Sequence, residues 1–211
     1  MQAPPGAWSS SVDAYLADCK AVKDKFGYGM DSQLSRVTPY LIVSGMPSAS
    51  LLEYQVDGRR VSHIINCTPF EEAPELLEHY SESNKTLLSL GLQDDSDDAR
   101  LCAALPEAMA FVRDARKADP AGIILVHCKS GVNRAGAVSL AVLISEEGMS
   151  LEDAFTFLRA ARPCVRPKYM KEVAKFEEGS RGSCSVPALR DGPDSAEFCR
   201  LYYGFKDDHS A

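Results

Sequence analysis

Four apolar residues, Ile123-Ile124-Leu125-Val126, run without a break into His127-Cys128-Lys129-Ser130-Gly131-Val132-Asn133-Arg134. A short run that is apolar at every position reads as a strand buried on both faces, because alternate side chains of a strand point to opposite sides. Such strands belong to parallel sheets covered by helices. A helix is expected directly after the loop, over about residues 134–147, ended by Gly148. This strand–loop–helix unit points to an α/β fold: a central, mostly parallel sheet flanked by helices.

The rest of the chain agrees with that class. Further strands are expected at 40–43, 61–65 and 86–92. Val12–Phe26 carries a helical stripe at Val12, Leu16, Cys19 and Val22, behind a lead of eleven residues that reads as disordered. A helix is expected over 108–118, with Pro106 in its first turn. Ser150 is placed to cap another, with Asp153 three residues on as its partner and a stripe of Leu151, Ala154, Phe155 and Leu158. A last helix follows Arg162-Pro163 and carries Tyr169, Val173 and Phe176. Residues 181–211 read equally well as a docked tail or as a disordered one.

Composition narrows the function classes. A length of 211 residues suits one domain with short extensions. No run approaches the roughly 18 apolar residues of a membrane span, and MQAPPGAWSS lacks the basic and apolar regions of a signal peptide. The seven cysteines are odd in number and contain no CxxC pair, which disfavours a zinc site or a secreted disulfide framework. The expected location is intracellular, cytoplasmic or nuclear. A formal net charge of −7 makes nucleic acid and anionic membrane poor default partners. The oligomeric state is left open.

The loop carries the chemistry. Small residues and Gly131 between a strand end and a helix start turn successive backbone N–H groups into one concavity, a nest for an anion. The helix N-terminus adds partial positive charge and favours the thiolate form of a cysteine placed there. The planar fork of Arg134 grips two oxygens of a phosphate. Nucleophile, anion cradle and clamp are therefore expected within one loop: Cys128 and Arg134, with Lys129, Ser130, Gly131, Val132 and Asn133 around the phosphate. His127 is read as orienting the loop and tuning the thiolate through hydrogen bonds, not as the base.

HCKSGVNR fits the HCxxGxxR signature of the cysteine-dependent protein tyrosine phosphatase superfamily. MSLEDAFTFLRAARPCVRP resembles the helix that follows the loop in small, atypical dual-specificity phosphatases, and SRVTPYLIVSG and VSHIINC resemble their opening strands. The resemblance covers about residues 35–178. It implies a catalytic domain over 35–180, between an N-terminal extension (1–34) and a C-terminal tail (181–211). It also implies a phosphoprotein substrate, with phosphotyrosine and phosphoserine or phosphothreonine hydrolysed through a phosphocysteine, and neither a metal nor an organic cofactor.

By the same resemblance the general acid is an aspartate after the third strand. Laid onto Asp94-Asp95-Ser96-Asp97-Asp98, the pattern gives Asp95, with Asp94 as runner-up. Two positions depart from the family: Ala135 replaces a Ser or Thr that steadies the departing thiolate, and Lys168 replaces an Asn that braces the loop. These bear on the speed of the second step and on loop rigidity. Three other readings stay open: a phosphoprotein-binding pseudophosphatase, an RNA 5′-triphosphatase suggested by Asn133-Arg134, and a phosphoinositide phosphatase. Cys67 follows the strand at 61–65 as Cys128 follows the strand at 123–126. If those strands are parallel neighbours, Cys67 is a candidate redox partner; Cys102 and Cys164 are weaker ones.

Overall fold

The computed structural model describes residues 7–27, 33–46, 53, 55–72, 74, 80, 83–94 and 98–203. The strands are β1 (Ser35–Arg36), β2 (Leu41–Ser44), β3 (Gln55–Val56), β4 (Arg59–Asn66), β5 (Thr86–Ser89) and β6 (Ile123–His127). The helices are α1 (Val12–Phe26), α2 (Asp98–Ala118), α3 (Arg134–Glu146), α4 (Leu151–Ala161), α5 (Met170–Arg181), α6 (Pro187–Arg190) and α7 (Ser195–Tyr203). Strand order across the main sheet is β1-β2-β6-β4-β5. β2, β6, β4 and β5 are parallel; β1 is antiparallel at one edge, and β3 forms an antiparallel hairpin with β4.

All five residues of β6 are buried, as an apolar run between two covered faces requires. Ile124 and Val126 face the larger core, which the helices cover. Ile123 and Leu125 face a smaller one with Ile42, Val61, Ile64 and Tyr80. Val61 and Ile64 share that side although they are three positions apart, an odd spacing for one face of a strand. A register shift between Val61 and His63 absorbs the extra residue, as a β-bulge does.

Several elements differ from the sequence reading. The third strand ends at Ser89. α2 begins at Asp98 rather than at residue 108, so Pro106 lies inside the helix. Pro106 is exposed, and so is Cys102, whose carbonyl loses its helical partner on the solvent side. The lead is not disordered throughout: Ala7–Ser9 form a 3₁₀ turn, and Trp8 is buried with its ring 4.3 Å from Phe155. On α5, Glu172 and Glu177 are buried while Phe176 is only partly so.

Glu177 explains how the tail docks. Its Oε1 accepts the N–H of Leu151 (2.8 Å), and its Oε2 accepts the N–H and hydroxyl of Ser185 (2.8 and 3.0 Å). Asp98 accepts from the N–H and hydroxyl of Ser195, which opens α7 (3.3 and 3.0 Å). The expected cap forms too: Ser150 Oγ accepts from the Asp153 N–H at 3.1 Å. Among the described residues no helix is long and apolar enough to cross a membrane.

Candidate active site

The parallel strands β2, β4 and β6 end level with one another, Ser44 and Asn66 both pairing with His127. Their C-terminal edge is where open α/β sheets bind ligands, and the Cys128 loop leaves from its middle strand. Cys128 is buried, and its Sγ accepts the Gly131 N–H at 3.2 Å. Gly131 has φ +65°, and a Cβ there would stand 2.4 Å from the Ser44 carbonyl. Glycine is required both by conformation and by space.

Five successive carbonyls of the loop bond away from the sulfur. Lys129 O accepts from Met46 N–H (3.0 Å), and Val132 O from Arg166 N–H (3.2 Å). Ser130 O and Gly131 O accept from the Arg162 guanidinium (3.0 and 2.7 Å). Asn133 O takes the Ala137 N–H, starting α3. With the carbonyls turned outward, the N–H groups on the other side of each peptide turn toward the cavity, which makes the nest. Arg162 is fully buried behind the loop and also binds Gln33 O and Ser35 Oγ. The sequence reading missed it; its one signal was a long cation inside an otherwise apolar neighbourhood.

Arg134 is held on several sides. Glu72 takes it two-pronged, Oε1 to Nη1 at 3.1 Å and Oε2 to Nη2 at 3.2 Å, and Leu92 O accepts from Nη1 at 2.8 Å. Nε lies 3.3 Å from Asp94 Oδ1, but as a buried donor it has no hydrogen-bond partner among the described residues. Burial opposes the positive charge of Arg134. Cys128, Asp94 and Glu72 outweigh that effect, so the guanidinium holds its proton more tightly than usual. Glu72 had no local motif to mark it.

His127 is fully buried, and burial pushes its pKa down to about 3; the Cys128 backbone pulls the other way, and the charge of Arg134 adds to the lowering. Its Nε2 meets the Tyr80 hydroxyl, while Nδ1 has no partner among the described residues. His127 is thus a neutral imidazole that meets Tyr80 and braces the loop from below.

Asn133 uses both ends of its amide within the site. Nδ2 donates to Asp94 O and Oδ1 (3.0 Å each), and Oδ1 accepts the Lys168 N–H at 2.7 Å. Lys168 thus still braces the loop, by its backbone, and its Nζ lies 4.0 Å from Asp94 Oδ2. Ala135 is fully buried at the start of α3. Asp95 lies outside the described residues, with Ser96 and Asp97. Tyr169 OH donates to Gln93 O (2.6 Å), tying α5 to the start of that acidic loop. Cys67 directly follows β4, and its N–H bonds His127 O at 2.9 Å, so it sits beside Cys128 as parallel strands require. Cys102 is exposed on α2.

A cavity of about 60 Å³ opens over Cys128, bounded by the loop, Asp94, Arg166 and Lys168. At about 10–15 Å³ for each water-sized group, it takes a phosphoryl group and the atoms next to it.

Residues 41–179 match the family described as the dual specificity phosphatase catalytic domain. Dual specificity protein phosphatase 19 of Mus musculus is 30% identical over 163 residues, 75% of this chain and 70% of that protein. Dual specificity protein phosphatase Mpk3 of Drosophila melanogaster is 32% identical over 185 residues, 83% of this chain but only 41% of that protein. Among solved structures, human DUSP28 superposes with a TM-score of 0.59 at 26% identity, covering 72% of this chain and 99% of that one. The matched residues run from β2 into α5 and contain the whole loop around Cys128. The chain therefore belongs to the dual-specificity protein phosphatases, enzymes of the protein tyrosine phosphatase superfamily.

Proposed function

We propose that this chain hydrolyses phosphotyrosine and phosphoserine or phosphothreonine in proteins through a phosphocysteine on Cys128. The Cys128 thiolate attacks phosphorus as the ester bond breaks, and the leaving oxygen takes a proton from Asp95. Asp95 then removes a proton from water, which displaces the thiolate and releases phosphate. Arg134 and the loop N–H groups hold the three non-bridging oxygens, whose charge grows in both transition states.

The outward ordering of the five loop carbonyls carries this reading: it supplies an anion nest with the sulfur beneath it. The buried Nε of Arg134 adds a donor that a phosphate oxygen would satisfy. The Asn133 amide, which carries the likeness to the RNA 5′-triphosphatase branch, is spent on Asp94 and Lys168. Backbone bracing from Lys168 argues against a loop too loose for catalysis. Turnover of a chromogenic aryl phosphate separates enzyme from pseudophosphatase. Hydrolysis lost on Cys128→Ser supports the proposal; tight phosphopeptide binding without any turnover contradicts it.

The same site supports reversible oxidation. Peroxide would convert the Cys128 thiolate to a sulfenic acid, with peroxide reduced to water. The Cys67 thiolate would then attack that sulfur and expel hydroxide, giving a disulfide that a dithiol reduces. Burial, then the negative charge of Cys128, raises the Cys67 thiol well above its usual range. Its thiolate fraction is small near pH 7 and grows as pH rises, so capture should speed up by about tenfold per pH unit. Peptide mapping after mild peroxide at pH 7 and 8.5 is expected to give more Cys67–Cys128 disulfide at the higher pH. Irreversible inactivation with Cys67 still a thiol at both pH values counts against it.

A further inference from the structure

The cavity over Cys128 has a wall that lies outside the matched residues 41–179. Cys19 of α1 and Phe198 and Tyr202 of α7 line it together with Cys128 and Arg134. The two extensions of the chain meet there. Phe198 packs on Tyr15 of α1, ring centroids 5.7 Å apart, and stacks on Tyr202 at 5.7 Å with the planes 19° apart. Tyr202 OH donates to Cys19 O at 3.3 Å. Tyr15 continues the chain of rings to Trp8 and Phe155 in the core, and its hydroxyl donates to Pro167 O, between Arg166 and Lys168. Asp98 fixes the start of α7 through Ser195. The wall is therefore anchored to the core, to α2 and to the basic strip beside the loop.

A phosphoryl group has the same shape in every substrate. What differs is the group on its ester oxygen: a methylene in phosphoserine, a methine carrying a methyl in phosphothreonine, a flat ring in phosphotyrosine. In a cavity filled by a phosphoryl group and its nearest atoms, that ester group is what reaches Phe198 and Tyr202. Phe198 stacks on Tyr202 and Lys23 Nζ lies over the Tyr202 ring, 5.5 Å from its centroid, so a substrate ring meets the edges of this pair. Edge-to-face aromatic contacts gain stability beyond simple burial, and a methylene or methyl offers those edges less. We propose that Phe198 and Tyr202 are specificity-determining residues that receive the substrate ring, so that phosphotyrosine is favoured over phosphothreonine and phosphoserine. This rests on the phosphocysteine reading of the same site.

The test uses the full chain and one peptide sequence made with phosphotyrosine or with phosphothreonine at the same position. Phe198→Ala and Tyr202→Ala are expected to lower the tyrosine-over-threonine ratio of kcat/KM by about tenfold, through KM. Inhibition by inorganic phosphate, which occupies the loop alone, should stay within about twofold of the parent. Phe198→Leu and Tyr202→Leu keep apolar bulk for docking α7 and should lower the ratio by about threefold. They decide the matter if the alanine variants fail to fold. An unchanged ratio in folded variants overturns the inference, as does phosphate affinity falling in step with it. A parent that hydrolyses neither peptide overturns the phosphatase reading itself, and this inference with it.

Discussion

Cys128→Ser is expected to lower turnover of an aryl phosphate by about 10³-fold or more, because a serine hydroxyl is a far weaker nucleophile at neutral pH than a thiolate. Binding should survive. The outward carbonyls, the Arg162 brace and the Glu72 hold on Arg134 do not involve the sulfur. The variant should therefore keep phosphate affinity near that of the parent while losing the chemical step. Residual turnover within about tenfold of the parent would remove Cys128 from the mechanism.

Asp95→Asn is expected to cut kcat on phenyl phosphates by about 10²-fold or more, the usual reach of a positioned general acid. Asp94→Asn should do much less to that step. Asp94 accepts from Asn133 and faces Arg134 and Lys168, which are contacts of an acceptor that positions the loop and the guanidinium. Its loss should show mainly in KM. Paired pH–rate profiles separate the two. The limb that needs a protonated acid should vanish in Asp95→Asn and persist in Asp94→Asn. The opposite pattern would move the acid to Asp94.

The unit around Cys128 was legible because its signals are local. An apolar run, small loop residues and a following apolar helix specify a buried strand, a nest and a helix start without reference to the rest of the chain. The Cys67–Cys128 neighbourhood was legible on one condition: each cysteine directly follows its strand, so the two meet if the strands at 61–65 and 123–126 are parallel neighbours, as β4 and β6 are. The supports of the site were not legible. Glu72, Tyr80 and Arg162 come from 62, 47 and 31 residues away from the groups they hold, and only the folded sheet brings them together. Pro106 misled because proline usually marks the first turn of a helix; here its place on the exposed face makes the lost hydrogen bond cheap. The tail gave mixed signals because its docking depends on buried Glu177 and on Asp98, residues that a periodicity reading takes as solvent-facing. Lys168 looked like a lost brace because side chains were compared, whereas its backbone N–H makes the contact.

The covalent intermediate is the most direct test of the account. Enzyme mixed with a phosphorus-labelled aryl phosphate, quenched within one turnover and digested, should yield a single labelled peptide containing Cys128. The label should survive alkali, as an S–P bond does, and be lost on iodine treatment. It should accumulate further in Asp95→Asn, where no base activates water if the substrate bears a good leaving group. It should be absent from Cys128→Ser. Label on a histidine, or turnover with no label on Cys128 at any quench time, would contradict the central claim.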